Sequence, residues 1–248
     1  MAKIGIIGGS GLDNPDLLKE VEELTLDTPY GATSSVLKQG IIAGREVVLL
    51  ARHGIGHTIP PSQVNFRANI WAFKELGCTH ILVTTAVGSL QEAIKPGDFV
   101  ILDQFIDFSR HRINTFYDKF VPGSPIHVST AEPFSAELRD CFLAAAKELS
   151  FAYHPTGTVI SIEGPRFSTK AESHMFRAWG ADVINMTIAT EAALAKEAEI
   201  PYAAVAMSTD YDCWKEDEEP VEWEQVLKVF MDNAHRVTEL LVSAVSKV

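Results

Sequence analysis

Ile4-Gly5-Ile6-Ile7-Gly8-Gly9-Ser10-Gly11 reads as a short buried strand running straight into a glycine turn. The same kind of unit recurs along the chain. Ile81–Thr85, Phe99–Leu102, Thr156–Ile162, Val183-Ile184 and Tyr202–Met207 are further apolar runs of strand length. Val36–Ala43 and Glu46–Ala51 have the pattern of a hairpin around Gly44-Arg45. Segments of helical spacing lie between: Asn65–Leu76 closed by Gly77, then Phe134, Leu138, Cys141 (or Phe142), Ala145 and Leu149, then Lys170–Trp179 and Glu191–Glu199. A last long helix carries Val226, Phe230, Ala234, Val237, Leu241 and Val245 on one stripe. Strands alternating with helices predict an α/β sandwich, one domain over 1–248, around a mostly parallel or mixed sheet.

Composition narrows the partners. Hydrophobic residues make up 46% of the 248, enough to bury a core. The 33 acids against 21 bases give a net charge of −12, which argues against a basic nucleic-acid face. A small anion needs only one or two local donors and stays open as a ligand. Cys78, Cys141 and Cys213 are too few and scattered for a disulfide framework or a metal array, so a reduced, cytoplasmic compartment and no metal are expected. No apolar stretch approaches the roughly 18 residues of a membrane span, and the opening residues do not read as a signal peptide.

In open α/β sheets ligands sit beyond the carboxyl ends of strands, so the polar residues after each run are the candidates. Gly8-Gly9-Ser10-Gly11 can turn backbone N–H groups and a hydroxyl toward an anion, or be a tight turn only. It is not a dinucleotide fingerprint, because Leu12-Asp13-Asn14 follows and the third glycine is missing. Arg52-His53-Gly54, with His57 nearby, reads as a phosphate clamp; a metal site there is a weaker alternative. Thr84-Thr85-Ala86-Val87-Gly88-Ser89 offers hydroxyls and small residues at a strand end. Ile162-Glu163-Gly164-Pro165-Arg166-Phe167-Ser168 holds an acid and a base that could pair with each other, and a ring that could be core or stack on a ligand. In Ser208-Thr209-Asp210-Tyr211-Asp212-Cys213-Trp214, two carboxylates at i and i+2 of an extended segment would point the same way. A solvated acidic loop is the alternative, since positions 210–224 hold Asp210, Asp212, Glu216, Asp217, Glu218, Glu219, Glu222 and Glu224 against Lys215 alone. Together these describe an anion pole and a carboxylate-and-aromatic pole, suited to phosphate plus a flat, amine-bearing heterocycle.

These motifs, in this order and over nearly the whole chain, resemble the 5′-methylthioadenosine phosphorylase branch of the trimeric purine nucleoside phosphorylases. Val183-Ile184-Asn185-Met186-Thr187 belongs to the match. The resemblance implies a sandwich with a central mixed, partly barrel-like sheet flanked by helices. It implies phosphorolysis of 5′-methylthioadenosine to adenine and 5-methylthioribose 1-phosphate, with inorganic phosphate as co-substrate and no cofactor. Another purine nucleoside, such as 5′-methylthioinosine or adenosine, is the alternative substrate. By resemblance, Ser10, Arg52, His53, Thr85, Ala86 and Thr187 would hold phosphate. Met186 would lie at the ribose, and Phe167, Ser168, Asp210 and Asp212 at the purine. Asp210 would be the catalytic acid at N7, with a raised pKa, and Asp212 would accept from the 6-amino group. His127 would reach the 5′ end from a neighbouring subunit of a homotrimer, singly or in a dimer of trimers, and Val226 would line the 5′ pocket. The chain departs from the family pattern at Ile55, where Arg is frequent, at Ile188-Ala189-Thr190-Glu191, where Pro commonly precedes the Glu, and at Trp223, where a small aliphatic residue is usual.

Overall fold

The computed structural model describes residues 2–8, 18–216 and 222–248. In chain order the strands are β1 (Lys3–Gly8), β2 (Lys19–Leu24), β3 (Leu37–Ile42), β4 (Arg45–Ala51), β5 (His80–Ser89), β6 (Phe99–Ile101), β7 (Gln104–Phe108), β8 (Tyr153–His154), β9 (Thr158–Ile162), β10 (Val183–Asn185) and β11 (Tyr202–Asp210). The helices are α1 (Phe66–Glu75), α2 (Ala136–Glu148), α3 (Lys170–Ala178), α4 (Ile188–Glu197) and α5 (Trp223–Lys247). All described strands belong to one mixed sheet, ordered β2-β3-β4-β1-β5-β10-β9-β7, with β11 also on β5 and β6 bridging β11 to β8.

Alternation along the strands sorts side chains to two faces. Ile81 and Val83 pack with Phe66, Ile70 and Phe73 of α1 and with Ile188, Ala192 and Leu194 of α4. Leu82 points the other way, into Leu138 and Phe142 of α2 and Val237, Leu240 and Leu241 of α5. A third cluster seats Phe176 of α3 on Ile160, Ile162 and Ile184. The helix ends follow their capping residues. Asn65 caps α1 by accepting from Ala68 N, Ser135 caps α2, and Thr169 with Glu172 forms a capping box on α3.

The long strand β5 positions everything else. Its first half pairs in parallel with β1 up to Val83. Its far end pairs antiparallel with β10 at Gly88 and Ser89. Along its other edge it follows β11 from Ile81 to Gly88. Thr84 to Val87 therefore stand where one partner has left and the next has not begun, and the sheet splits.

The structure corrects the sequence reading in places. Thr84–Ser89 is the second half of β5 rather than a turn beyond it, because β11 continues to pair with it. The charged strand β2 (Lys-Glu-Val-Glu-Glu-Leu) went unread, since an exposed edge strand carries no apolar pattern. β7 and β8 were also missed. α4 begins at Ile188, three residues before the expected start. We expect Leu241→Ala, which truncates a fully buried contact between α5 and the sheet, to destabilise the fold by about 2–5 kcal/mol. Denaturant unfolding should show a lower midpoint with an unchanged slope.

Candidate active site

A cleft opens at the split, lined from the turn after β4, from β5, β9, β10 and β11, and from the first turns of α5.

One end is built for an anion. Arg52 follows β4, its backbone N–H bonded to Gly8 O at 3.0 Å, so the chain turns directly under β1. The residue is 1% exposed. The guanidinium donates from Nε (2.5 Å) and Nη2 (3.1 Å) to the two carboxylate oxygens of Glu191 on α4. Nη1 donates to Thr84 O at 3.2 Å, a carbonyl at the sheet split. Burial works against this charge, but Glu191 more than offsets it and holds the Arg52 pKa above its ordinary value. Tyr202 donates its hydroxyl to the same Glu191 at 2.9 Å. The pair uses part of the guanidinium's donor set and leaves N–H groups for a ligand. His53 stands beside it. Burial, then Arg52, lower its pKa to about 3, so the ring is neutral at physiological pH. Nδ1 lies 2.9 Å from Ile59 O and must carry the hydrogen, which makes Nε2 an acceptor suited to a P–OH group. Thr85, Ala86 and Thr187 complete this end of the lining. Thr187 is the N-cap of α4, so the positive end of that helix faces the same space.

The other end holds two acids. Asp210 ends β11 and accepts from Thr209 Oγ1 at 2.7 Å and from Asp212 N at 2.8 Å. Burial is the main influence on it and raises its pKa to about 6, against those two hydrogen bonds. Asp212 begins a short 3-10 turn with φ +50° and accepts from Ser168 Oγ at 2.7 Å. Gly88 lets β5 pass under them: a Cβ there would come within 2.9 Å of an Asp210 carboxylate oxygen. Met186 and Ile184 line the middle, and Phe167 stands at the edge, partly exposed.

A family model described as the phosphorylase superfamily matches residues 3–246. The chain belongs to the phosphorylase superfamily. It is 56% identical over 250 residues to S-methyl-5′-thioadenosine phosphorylase of Xenopus tropicalis, covering 99% of this chain and 89% of that protein. It is 51% identical to the Drosophila melanogaster protein of the same name, covering 99% and 86%. Methylthioadenosine phosphorylase from Schistosoma mansoni, solved with adenine, superposes with a TM-score of 0.93 at 45% identity, covering 99% and 91%. A variant of the Schistosoma adenosine/methylthioadenosine phosphorylase, solved with methylthioadenosine, gives 0.92 at 43% with the same coverage.

In this phosphorylase superfamily member Arg52, His53, Thr85, Ala86, Phe167, Ser168, Met186, Thr187, Asp210, Asp212 and Val226 line one cleft. Ser10 lies outside the described residues. His127 does not line the cleft of its own chain; it is exposed, edge-on to Phe120. Asp210 and Asp212 do converge, but through a turn in which one carboxylate binds the other's N–H rather than along an extended segment. Glu163 and Arg166 do not pair. Glu163 binds Arg112 and the N–H groups of Arg110 and His111, while Arg166 binds Glu172. Trp223 lines the mouth against His57, 5.1 Å between ring centres, and His57 stacks on His53 at 4.4 Å. Ile55 is exposed. Asn185, quoted in the sequence only as part of the Val183–Thr187 match and given no role there, also lines the cleft. Sequence reasoning missed Arg112, whose ion pair spans 51 residues and leaves no local signal. Glu191→Gln should leave Arg52 charged and buried without its counter-ion, destabilising the fold by about 3–5 kcal/mol. Urea unfolding measures it, and phosphate affinity by calorimetry should fall in the same variant.

Proposed function

We propose that the chain, acting as one domain over 1–248, cleaves 5′-methylthioadenosine with inorganic phosphate, giving adenine and 5-methylthioribose 1-phosphate without any cofactor. The carrying observation is that a buried, ion-paired arginine and a buried acid with a raised pKa occupy opposite ends of one cleft, with Met186 between. The names of the relatives agree with this substrate pair.

Phosphate seated on Arg52, His53, Thr85, Ala86 and Thr187 would lie under the anomeric carbon. As the C1′–N9 bond breaks, its electron pair goes to the purine and positive charge builds on the sugar. The phosphate dianion stabilises that charge and then forms the new C1′–O bond. Asp210 gives its proton to N7, so the base leaves neutral. Asp212, oriented by Ser168, accepts from the 6-amino group, and a 6-oxo group would set acceptor against acceptor. Phe167 offers a face for the purine ring. Val226, Leu227 and Phe230 give an apolar 5′ end, with Trp223 narrowing its mouth.

Ile113, Phe120, Val121, Ile126 and Val128 are exposed apolar residues of one segment. Such a surface supports a homotrimer, alone or as a dimer of trimers, in which His127 would serve the neighbour's 5′ site. The three free thiols support a reducing, cytoplasmic setting.

Adenine release should need phosphate; equal release without it would make the protein a nucleosidase. Since the acid form of Asp210 is required, kcat/KM should fall as pH rises past about 6. Asp210→Asn should remove that limb and lower kcat about 10²-fold or more. Asp212→Asn should erode the preference for methylthioadenosine over methylthioinosine, read as the ratio of their kcat/KM values.

A further inference from the structure

Behind Thr85 runs a chain of hydrogen bonds whose direction is set by backbone donors. Ala189 N, in the first turn of α4, donates to Ser161 Oγ at 3.0 Å. A backbone N–H can only donate, so the Ser161 hydroxyl must send its own hydrogen elsewhere, and it lies 2.7 Å from Asn185 Oδ1. Thr187 N also donates to Asn185 Oδ1, at 3.3 Å. Two donors on that atom identify it as the carbonyl oxygen and settle the amide's orientation. The amide nitrogen Nδ2 then faces Thr85 Oγ1 at 3.4 Å and donates to it. With its oxygen accepting, the Thr85 hydroxyl has its hydrogen left to give. It now goes to the neighbouring Ala86 O at 3.1 Å, and Thr85 lines the cleft. Ser161, Asn185 and Thr85 are all buried, which strengthens such a chain and penalises any break in it.

The geometry points to Ser161 and Asn185 as positioning residues for phosphate: they polarise and aim the Thr85 hydroxyl so that it meets an incoming anion as a donor. This rests on the phosphate reading of that end of the cleft. Ser161 is not part of the cleft lining, whereas Asn185 and Thr85 both are, so Ser161 acts on the anion through them. α4 contributes twice, with Thr187 at the anion and with Ala189 N–H at the start of the relay. A carboxylate or sulfate oxygen would be met in the same way, so the relay recognises an oxyanion acceptor rather than phosphorus as such.

Steady-state kinetics with methylthioadenosine and varied phosphate tests this in the full-length protein. Ser161→Ala should raise phosphate KM about fivefold, the weight of one aimed hydrogen bond, and leave nucleoside KM unmoved. The same change made on Thr85→Val should add nothing, since the hydroxyl it acts through is gone. Made on Thr85→Ser, which keeps the hydroxyl, it should raise phosphate KM again. Ser161→Cys keeps the volume with a weaker donor; it stands in if the alanine variant fails to fold, and should move phosphate KM the same way. Equal rises with the native Thr85 and on the Thr85→Val background, or parallel rises in both substrates' KM, would overturn the relay and leave only a packing role. Adenine release by the unmodified protein that ignores phosphate would instead overturn the reading of the site itself.

Discussion

The buried guanidinium of Arg52 sits where β5 loses β1 and has not yet gained β10, and most of the site is arranged around it. A sheet that changes partners in mid-strand leaves carbonyls without a ladder, and buried carbonyls need donors. Arg52 supplies one to Thr84 O. A charge in that position is tolerable only with its counter-ion in place, and Glu191 provides it in a bidentate pair. Because Glu191 lies on α4, the pair also ties that helix to β4. The N-terminus of α4 is thereby held against the cleft. One interaction thus closes the split, carries the local positive charge and orients the helix that caps the anion end.

That local charge matters because the chain as a whole is acidic. The net charge of −12 repels a phosphate dianion at long range. Capture must then depend on short-range donors that are fixed before the ligand arrives. Arg52, the α4 terminus and the Thr85 hydroxyl are all held by other groups rather than by the ligand. At the far end the logic reverses. Burial raises the pKa of Asp210 and keeps a proton available there, while the turn at Asp212 brings a second carboxylate to the same wall. The 211–216 segment is itself anchored: Trp214 donates its indole N–H to Ser89 O at 2.8 Å, and the Arg177 guanidinium lies 3.5 Å from its ring centre.

Many of the elements could be read locally. Ile4, Ile6 and Ile7 form a fully buried strand because nothing polar interrupts them, and α1 follows from Asn65 at one end and Gly77 at the other. The edge strand β2 could not be read this way, since its residues are charged and its pairing is all that makes it a strand. That Arg52, His53, Thr85 and Thr187 deserved notice was legible, because strand-end hydroxyls and an Arg-His pair are conspicuous in an acidic chain, and the fold brings them to one cleft. Arg112 was not, because its meaning comes from Glu163 and from the Met186 carbonyl, which it binds at 2.6 Å. The wrong pairing of Glu163 with Arg166 has the same origin: proximity in sequence suggested a partner, and each residue found a better one elsewhere.

Residue types, their order and their periodicity determined the α/β class, the two faces of the sheet and the identity of the residues able to bind an oxyanion or hold a proton. Those properties are short-ranged and belong to the side chains themselves. Which carboxylate is raised, which histidine stays neutral and which hydroxyl is left with a hydrogen to give were decided by tertiary structure alone. Each depends on burial and on donors brought from distant segments, as when Ala189, Ser161, Asn185 and Thr85 meet across three strands and a helix.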